Sequence, residues 1–114
     1  MLLSGQIALV TGAGQGNGAA MAAGLAQQGA RVAVTDIDTN LAGGTAARIT
    51  ETGGQAAAFA LDVTDLDACR DLAVRLGAEM GDLSVLVNNA GICPRHSVDD
   101  DALDRAWDAA MDIN

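Results

Sequence analysis

Ile7-Ala8-Leu9-Val10-Thr11-Gly12-Ala13-Gly14-Gln15-Gly16-Asn17-Gly18 decides how this 114-residue chain folds. Its first five residues carry no charge and do not alternate between apolar and polar. That is the composition of a strand covered on both faces, as in a parallel sheet flanked by helices. Glycines then stand at 12, 14, 16 and 18, and the alanine-rich segment from Asn17 to Gln28 reads as a helix that stops at Gly29. A glycine-rich turn between a strand and a helix lets the backbone approach a phosphate. The helix N-terminus behind it offers N–H donors and positive potential. Glycine turns also occur where a helix and a strand merely pack closely.

Working outward, the same rhythm repeats. Arg31 to Thr35, Ala56 to Leu61 and Leu83 to Val87 are further short apolar runs. Between them lie helical patterns: Asn40 to Thr52, with Leu41, Thr45 and Ile49 on one side, and Asp65 to Met80, with Leu66, Cys69, Leu72, Leu76 and Met80 on one stripe. A fourth helix is predicted from Asp99-Asp100-Asp101 onward, showing Leu103, Trp107, Ala110 and Met111. The three aspartates suit a first helical turn better than a ligand cluster. Four β-α units with right-handed crossovers predict an α/β fold, a three-layer doubly wound parallel sheet of order 3-2-1-4, in one domain over 1–114.

Composition narrows the function. Fifteen acidic residues against six basic ones give a net charge of −9, and all six basic residues are arginine. With one Phe, one Trp and no Tyr there is no stacking surface. Such a chain does not suit nucleic acid, nor a membrane-surface helix, which wants a basic face. Half the residues are hydrophobic, enough to bury a core. The start shows no secretory leader, and no stretch nears the roughly 18 apolar residues of a membrane span. Cys69 and Cys93 form neither a disulfide framework nor a CxxC pair, so free thiols in a reducing cytoplasm are expected. No metal site is expected: Cys93 and His96 lack a third ligand and read as loop-lining residues.

The glycine turn spells T-G-x-x-x-G-x-G, through Thr11, Gly12, Gly16 and Gly18, with Gly14 extra. A P-loop is excluded because it needs a lysine after its last glycine and the chain has none. Asp36 follows the second apolar run, near the place of the acid that holds a ribose 2′-hydroxyl. A carboxylate there accepts from the diol and repels a 2′-phosphate. No arginine sits in the turn or directly after Asp36, so NAD is favoured over NADP. The alternative for Asp36 is a turn cap before Asp38. Asp62-Val63 ends the third strand on the same edge, where Asp62 serves either to accept from an adenine amino group or to cap the helix near Asp65. Asn88-Asn89-Ala90-Gly91 follows the fourth strand, beside the point where strand order reverses.

In combination these features resemble the short-chain dehydrogenase/reductase family, along essentially the whole chain, and most nearly its 3-oxoacyl-carrier-protein reductases and secondary-alcohol or sugar dehydrogenases. The resemblance implies a Rossmann sheet, a nicotinamide dinucleotide, and hydride transfer between it and an alcohol or ketone. It implies that Gly12, Gly16 and Gly18, with the backbone of Gln15 and Asn17, line the dinucleotide. It gives Asp36 the adenosine ribose, Asp62 and Val63 the adenine, and Asn89, Ala90 and Gly91 the far side of the nucleotide. Asn88 matches a sheet-bracing residue. Asn114 matches the catalytic-site Asn that carries a water relay; the bland alternative is a frayed last residue. Asn17 departs from the family's usual Ile.

The family's Ser and Tyr-x-x-x-Lys are its proton-transfer machinery, and this sequence contains no Tyr and no Lys. The resemblance therefore implies the amino-terminal part of a dehydrogenase, incomplete as a fold and without hydride transfer alone. In the order 3-2-1-4, Leu83 to Val87 is an edge with no charge or proline to blunt it, and self-association through it is expected. Two other classes compete. One is a non-catalytic nucleotide-binding module. The other is an S-adenosylmethionine-dependent methyltransferase, whose turn usually carries an acid where this chain has Val10.

Overall fold

The computed structural model describes residues 2–89. Within them the elements run β1 (Ile7–Thr11), α1 (Gly16–Gln27), β2 (Arg31–Asp36), α2 (Thr39–Glu51), β3 (Gln55–Ala60), α3 (Leu66–Glu79) and β4 (Val85–Asn88). The strands form a parallel sheet in the order β3-β2-β1-β4. This is the doubly wound arrangement expected from the alternation of apolar runs and helical patterns. The fourth helix, with Ala90, Gly91, Cys93, His96 and Asn114, lies outside the described residues.

Every residue of β1 is buried. The pleat sends Leu9 to one face of the sheet and Ala8 and Val10 to the other. The two faces differ in bulk. On one, α3 packs large side chains, Leu72 and Leu76, against Leu9, Phe59, Leu61 and Leu86. On the other, α1 and α2 approach through Ala22, Ala26, Ala42 and Ala46 onto Ala8, Val10, Val32 and Val34. Small residues on both partners let the helices that follow β1 and β2 lie close to the sheet. That closeness keeps the connecting turns short.

Element ends shift by a residue or two from the sequence-based expectation, each for a visible reason. Helix α2 starts at Thr39 because Asp38 caps it, accepting from the N–H of Asn40 at 2.9 Å and of Leu41 at 3.2 Å. Helix α3 starts at Leu66 because Asp65 caps it, accepting from Ala68 N–H at 3.1 Å. Strand β4 starts at Val85 rather than Leu83. The Ser84 hydroxyl accepts from Ile7 N–H at 3.0 Å, so a side chain occupies the first position of that ladder. Helix α1 closes at the expected glycine, with Gly29 N–H donating to the Ala26 carbonyl and Ala30 N–H to that of Leu25.

Candidate functional site

Register brings the carboxyl ends of the strands level. Thr11 faces Asn88 across the β1–β4 ladder, and Asp36 faces Ala60 across β2–β3. Strand β1 lies between β2 and β4, so the order of strands reverses beside it and its outgoing turn sits at the switch point.

That turn is held from three sides. From β2, the Thr35 carbonyl accepts from Ala13 N–H at 2.8 Å, and the buried Thr35 hydroxyl donates to the Val10 carbonyl at 2.8 Å. The Asp36 carboxylate accepts from Gly14 N–H through Oδ2 at 2.9 Å and from Asp38 N–H through Oδ1 at 3.0 Å. From α2, the Thr45 hydroxyl donates to the Gly14 carbonyl at 3.1 Å. From β4, Asn89 Nδ2 donates to the Gly12 carbonyl at 3.1 Å, and Asn89 N–H donates to the Thr11 hydroxyl at 3.0 Å. That hydroxyl in turn donates to Asn88 Oδ1 at 3.0 Å. The Asn pair and the glycine turn, bonded across 77 and 78 positions of the chain, are one unit. Asn88 braces the sheet, as the resemblance implied.

Space explains two of the glycines. A Cβ on Gly18 would press into the Gly12 carbonyl oxygen and come within 2.7 Å of Asn89 Nδ2. A Cβ on Gly14 would lie 2.5 Å from Leu41 Cβ and 2.8 Å from Asp36 Oδ2. Gly14, an extra glycine in the sequence pattern, is the one that lets Asp36 and α2 close on the turn. Gly16 is different. Its φ is +61° and nothing lies within 4 Å of where a Cβ would stand, so the space above it is open.

Helix α1 begins under that space. Gln15, in extended conformation at the N-cap position, makes no side-chain cap bond, and the first turn holds no acidic residue. The first N–H groups of a helix have no intrahelical acceptor. Gln15, Gly16 and Asn17 are all exposed. The result is a set of backbone donors and a helix dipole facing open space, a fit for an anionic diphosphate. The Asp36 carboxylate stands at its flank. Each Asp36 oxygen already takes one backbone N–H, which fixes the group and leaves lone pairs for a diol.

Asp62 lies just past β3, next to Leu61, whose N–H donates to the Asp36 carbonyl at 3.0 Å. It does not cap α3; Asp65 does. Asp62 Oδ1 instead accepts from the Thr64 hydroxyl and N–H, and these bonds hold its carboxyl below the ordinary value of 3.8. Val63 is turned into the core with Leu72 and Leu76, so its backbone is what it can present at the edge. Among the described residues no group of three or more His, Cys, Asp or Glu is placed to hold a metal. Nor is any helix long and apolar enough to cross a membrane. Sequence reading named Thr11 in the turn motif and Thr45 on its helix but missed the bracing bonds that these two and Thr35 make. The available signal was a threonine at the end of two buried strands, where a hydroxyl can bond a neighbouring backbone.

The sequence model of the short chain dehydrogenase family matches residues 6–114. The chain belongs to the short-chain dehydrogenase family. It is 38% identical over 112 residues to the D-threitol dehydrogenase of Mycolicibacterium smegmatis, covering 98% of this chain and 43% of that protein. It is 36% identical over 112 residues to the 2,3-dihydro-2,3-dihydroxybenzoate dehydrogenase of Bacillus subtilis, covering 98% of this chain and 42% of the relative. A metagenomic short-chain oxidoreductase solved in complex with NADP superposes with a TM-score of 0.77 at 39% identity, over 96% of this chain and 49% of its own. The chain thus spans less than half the length of these relatives. Family membership makes this a sequence of an oxidoreductase family of Rossmann type, one that binds a nicotinamide cofactor.

Proposed function

We propose that these residues hold the adenosine and diphosphate part of NAD for hydride transfer between the nicotinamide and an alcohol or ketone. The observation that carries this reading is the uncapped N-terminus of α1 with the Asp36 carboxylate fixed beside it through Gly14 N–H. The backbone of Gly12, Gln15, Gly16, Asn17 and Gly18 takes the diphosphate. Asp36 accepts from the ribose diol and disfavours NADP by charge repulsion. Asp62 and the Val63 backbone face the adenine; Asn89, Ala90 and Gly91 take the far side of the nucleotide. Asn114 carries the proton-relay water. When bound, the cofactor supplies an electrophilic ring that accepts a hydride, or its reduced form that gives one.

The protein's own part in that reaction is binding and orientation. With no Tyr and no Lys among its 114 residues, the chain alone has no group in the family's proton-transfer role, and it does not turn over alcohols by itself. Strand β4, paired only with β1 among the described residues, supports self-association through its outer edge. A reducing, cytoplasmic setting completes the reading.

Titration calorimetry with NAD and with NADP tests the proposal. NAD is expected to bind at least about tenfold more tightly, or ~1.4 kcal/mol. Asp36→Asn should bring the two within about threefold. Tighter binding of NADP by the unsubstituted chain would contradict the reading.

A further inference from the structure

Gly14 is gripped through both of its backbone polar groups, one in each of the two peptides it joins. Its N–H goes to Asp36 Oδ2 and its carbonyl to the hydroxyl of Thr45, which is 2% exposed. Thr45 in turn accepts from Arg48 Nη2 at 3.1 Å, so its single hydroxyl proton is directed at Gly14. Thr45 lies nearly two turns inside α2, the helix that Asp38 caps shortly after Asp36. The two grips therefore come from one β2–α2 unit and close on one residue of the β1–α1 turn.

We propose that Thr45 is a positioning residue for cofactor selectivity, with Arg48 orienting its hydroxyl. The inference rests on the dinucleotide reading above and adds to it the residue that sets the aim of Asp36. While the Gly14 carbonyl is held, the Gly14–Gln15 peptide is fixed. With the Gly12–Ala13 peptide anchored by its N–H on the Thr35 carbonyl, the Ala13–Gly14 peptide between them is limited in rotation and its N–H stays pointed at Oδ2. The carboxylate then presents a fixed pair of lone pairs toward the ribose and a fixed charge toward a 2′-phosphate. Without the hydroxyl, the Gly14–Gln15 peptide loses its anchor and the neighbouring Ala13–Gly14 peptide is freer to rotate. Asp36 can then swing with it, and the discrimination between a 2′-hydroxyl and a 2′-phosphate weakens.

The test compares Thr45→Val, which keeps the branched shape without the hydroxyl, with Thr45→Ser, which keeps the hydroxyl. Ile49→Val, in the same helix and buried in the core, controls for loss of stability. NAD and NADP affinities are measured by calorimetry, and Gly14 amide exchange by NMR without nucleotide. Thr45→Val should shrink the NAD-over-NADP ratio by about fivefold or more and speed Gly14 exchange. Thr45→Ser and Ile49→Val should leave both near the unsubstituted values. An unchanged ratio in Thr45→Val, at a Tm matched by Ile49→Val, overturns the proposal, as does unchanged Gly14 exchange. If the unsubstituted chain binds neither nucleotide, the dinucleotide reading itself falls. A faster Gly14 exchange in Thr45→Val would then show the grip to be purely structural.

Discussion

Helices α1 and α2 start at the same edge of the same sheet, each just after a strand, and start in opposite ways. Helix α2 is capped: Asp38 accepts from two of its first N–H groups. Helix α1 has Gln15 where a cap would stand, no cap bond and no acid in its first turn. A cap is worth about 1 kcal/mol, and Asp beside a helix N-terminus adds a favourable charge. Their absence from α1 leaves stability unrealised and donors available. Helix α1 also contains glycines at 16, 18 and 24, poor helix formers, so its order depends on alanine packing against the sheet. The difference teaches that one helix start has its donors satisfied by the fold, while the other leaves them open, as the proposed dinucleotide site requires.

The sharpest break of this contrast is at Gly18. Gly18→Ala places a methyl group against the Gly12 carbonyl and Asn89. Backbone cannot yield there as a flexible side chain would. We expect a loss of about 1–3 kcal/mol in stability and more than about 100-fold in NAD affinity. Gly43→Ala in α2 has open space at its Cβ and should gain about 0.5–1 kcal/mol with NAD affinity unchanged. Denaturant melts with calorimetry separate the two.

Exchanging the starts comes next. Gln15→Asp gives α1 the cap it lacks. It should raise stability by up to about 1 kcal/mol while lowering NAD affinity about tenfold or more, because a carboxylate then competes for the donors and repels the diphosphate. Asp38→Ala does the reverse, costing about 1 kcal/mol of stability with little direct effect on affinity. A Gln15→Asp variant that binds NAD as well as the unsubstituted chain would show that the α1 donors are not the cradle.

A smaller effect lies at Asp62. Its bonds from Thr64 favour the ionised carboxyl, so its folded pKa lies below the unfolded value. The stabilisation is present above the unfolded carboxyl pKa and is lost as pH falls through the folded one. Thr64→Val should move the Asp62 titration upward and flatten that acid limb, read by carbonyl NMR between about pH 2 and 6. No comparable change is expected at the start of α1, which has no acid in its first turn.

The fold was legible because its strands are short, apolar and separated by helices that stop at glycine. Both periods, and the crossover rule that orders them, are local signals. The turn and Asp36 were legible because the chemistry of a phosphate cradle demands glycine and a helix start close together. What the residues did not reveal is how the turn is held. Whether Asp36 caps a turn or faces a ribose looked like a choice. The structure shows its carboxylate bonded both to Gly14 N–H and to Asp38 N–H, so the turn-cap alternative is observed and the ribose role is the proposed one. Of the two alternatives for Asp62, the helix cap is overturned, since the cap is Asp65. Thr45 stood out in sequence only as a polar residue on an apolar stripe, and its partner lies 31 residues away. Such pairings depend on the packing of α2 against the turn and leave no periodic trace.

The most direct measurement is an NAD titration of the chain followed by amide chemical shifts. The account predicts saturable shifts at Gly16, Asn17 and Gly18, where α1 is uncapped. It predicts much smaller ones at Asn40 and Leu41, whose N–H groups Asp38 already holds. Equal shifts at both helix starts, or none at α1, would contradict it.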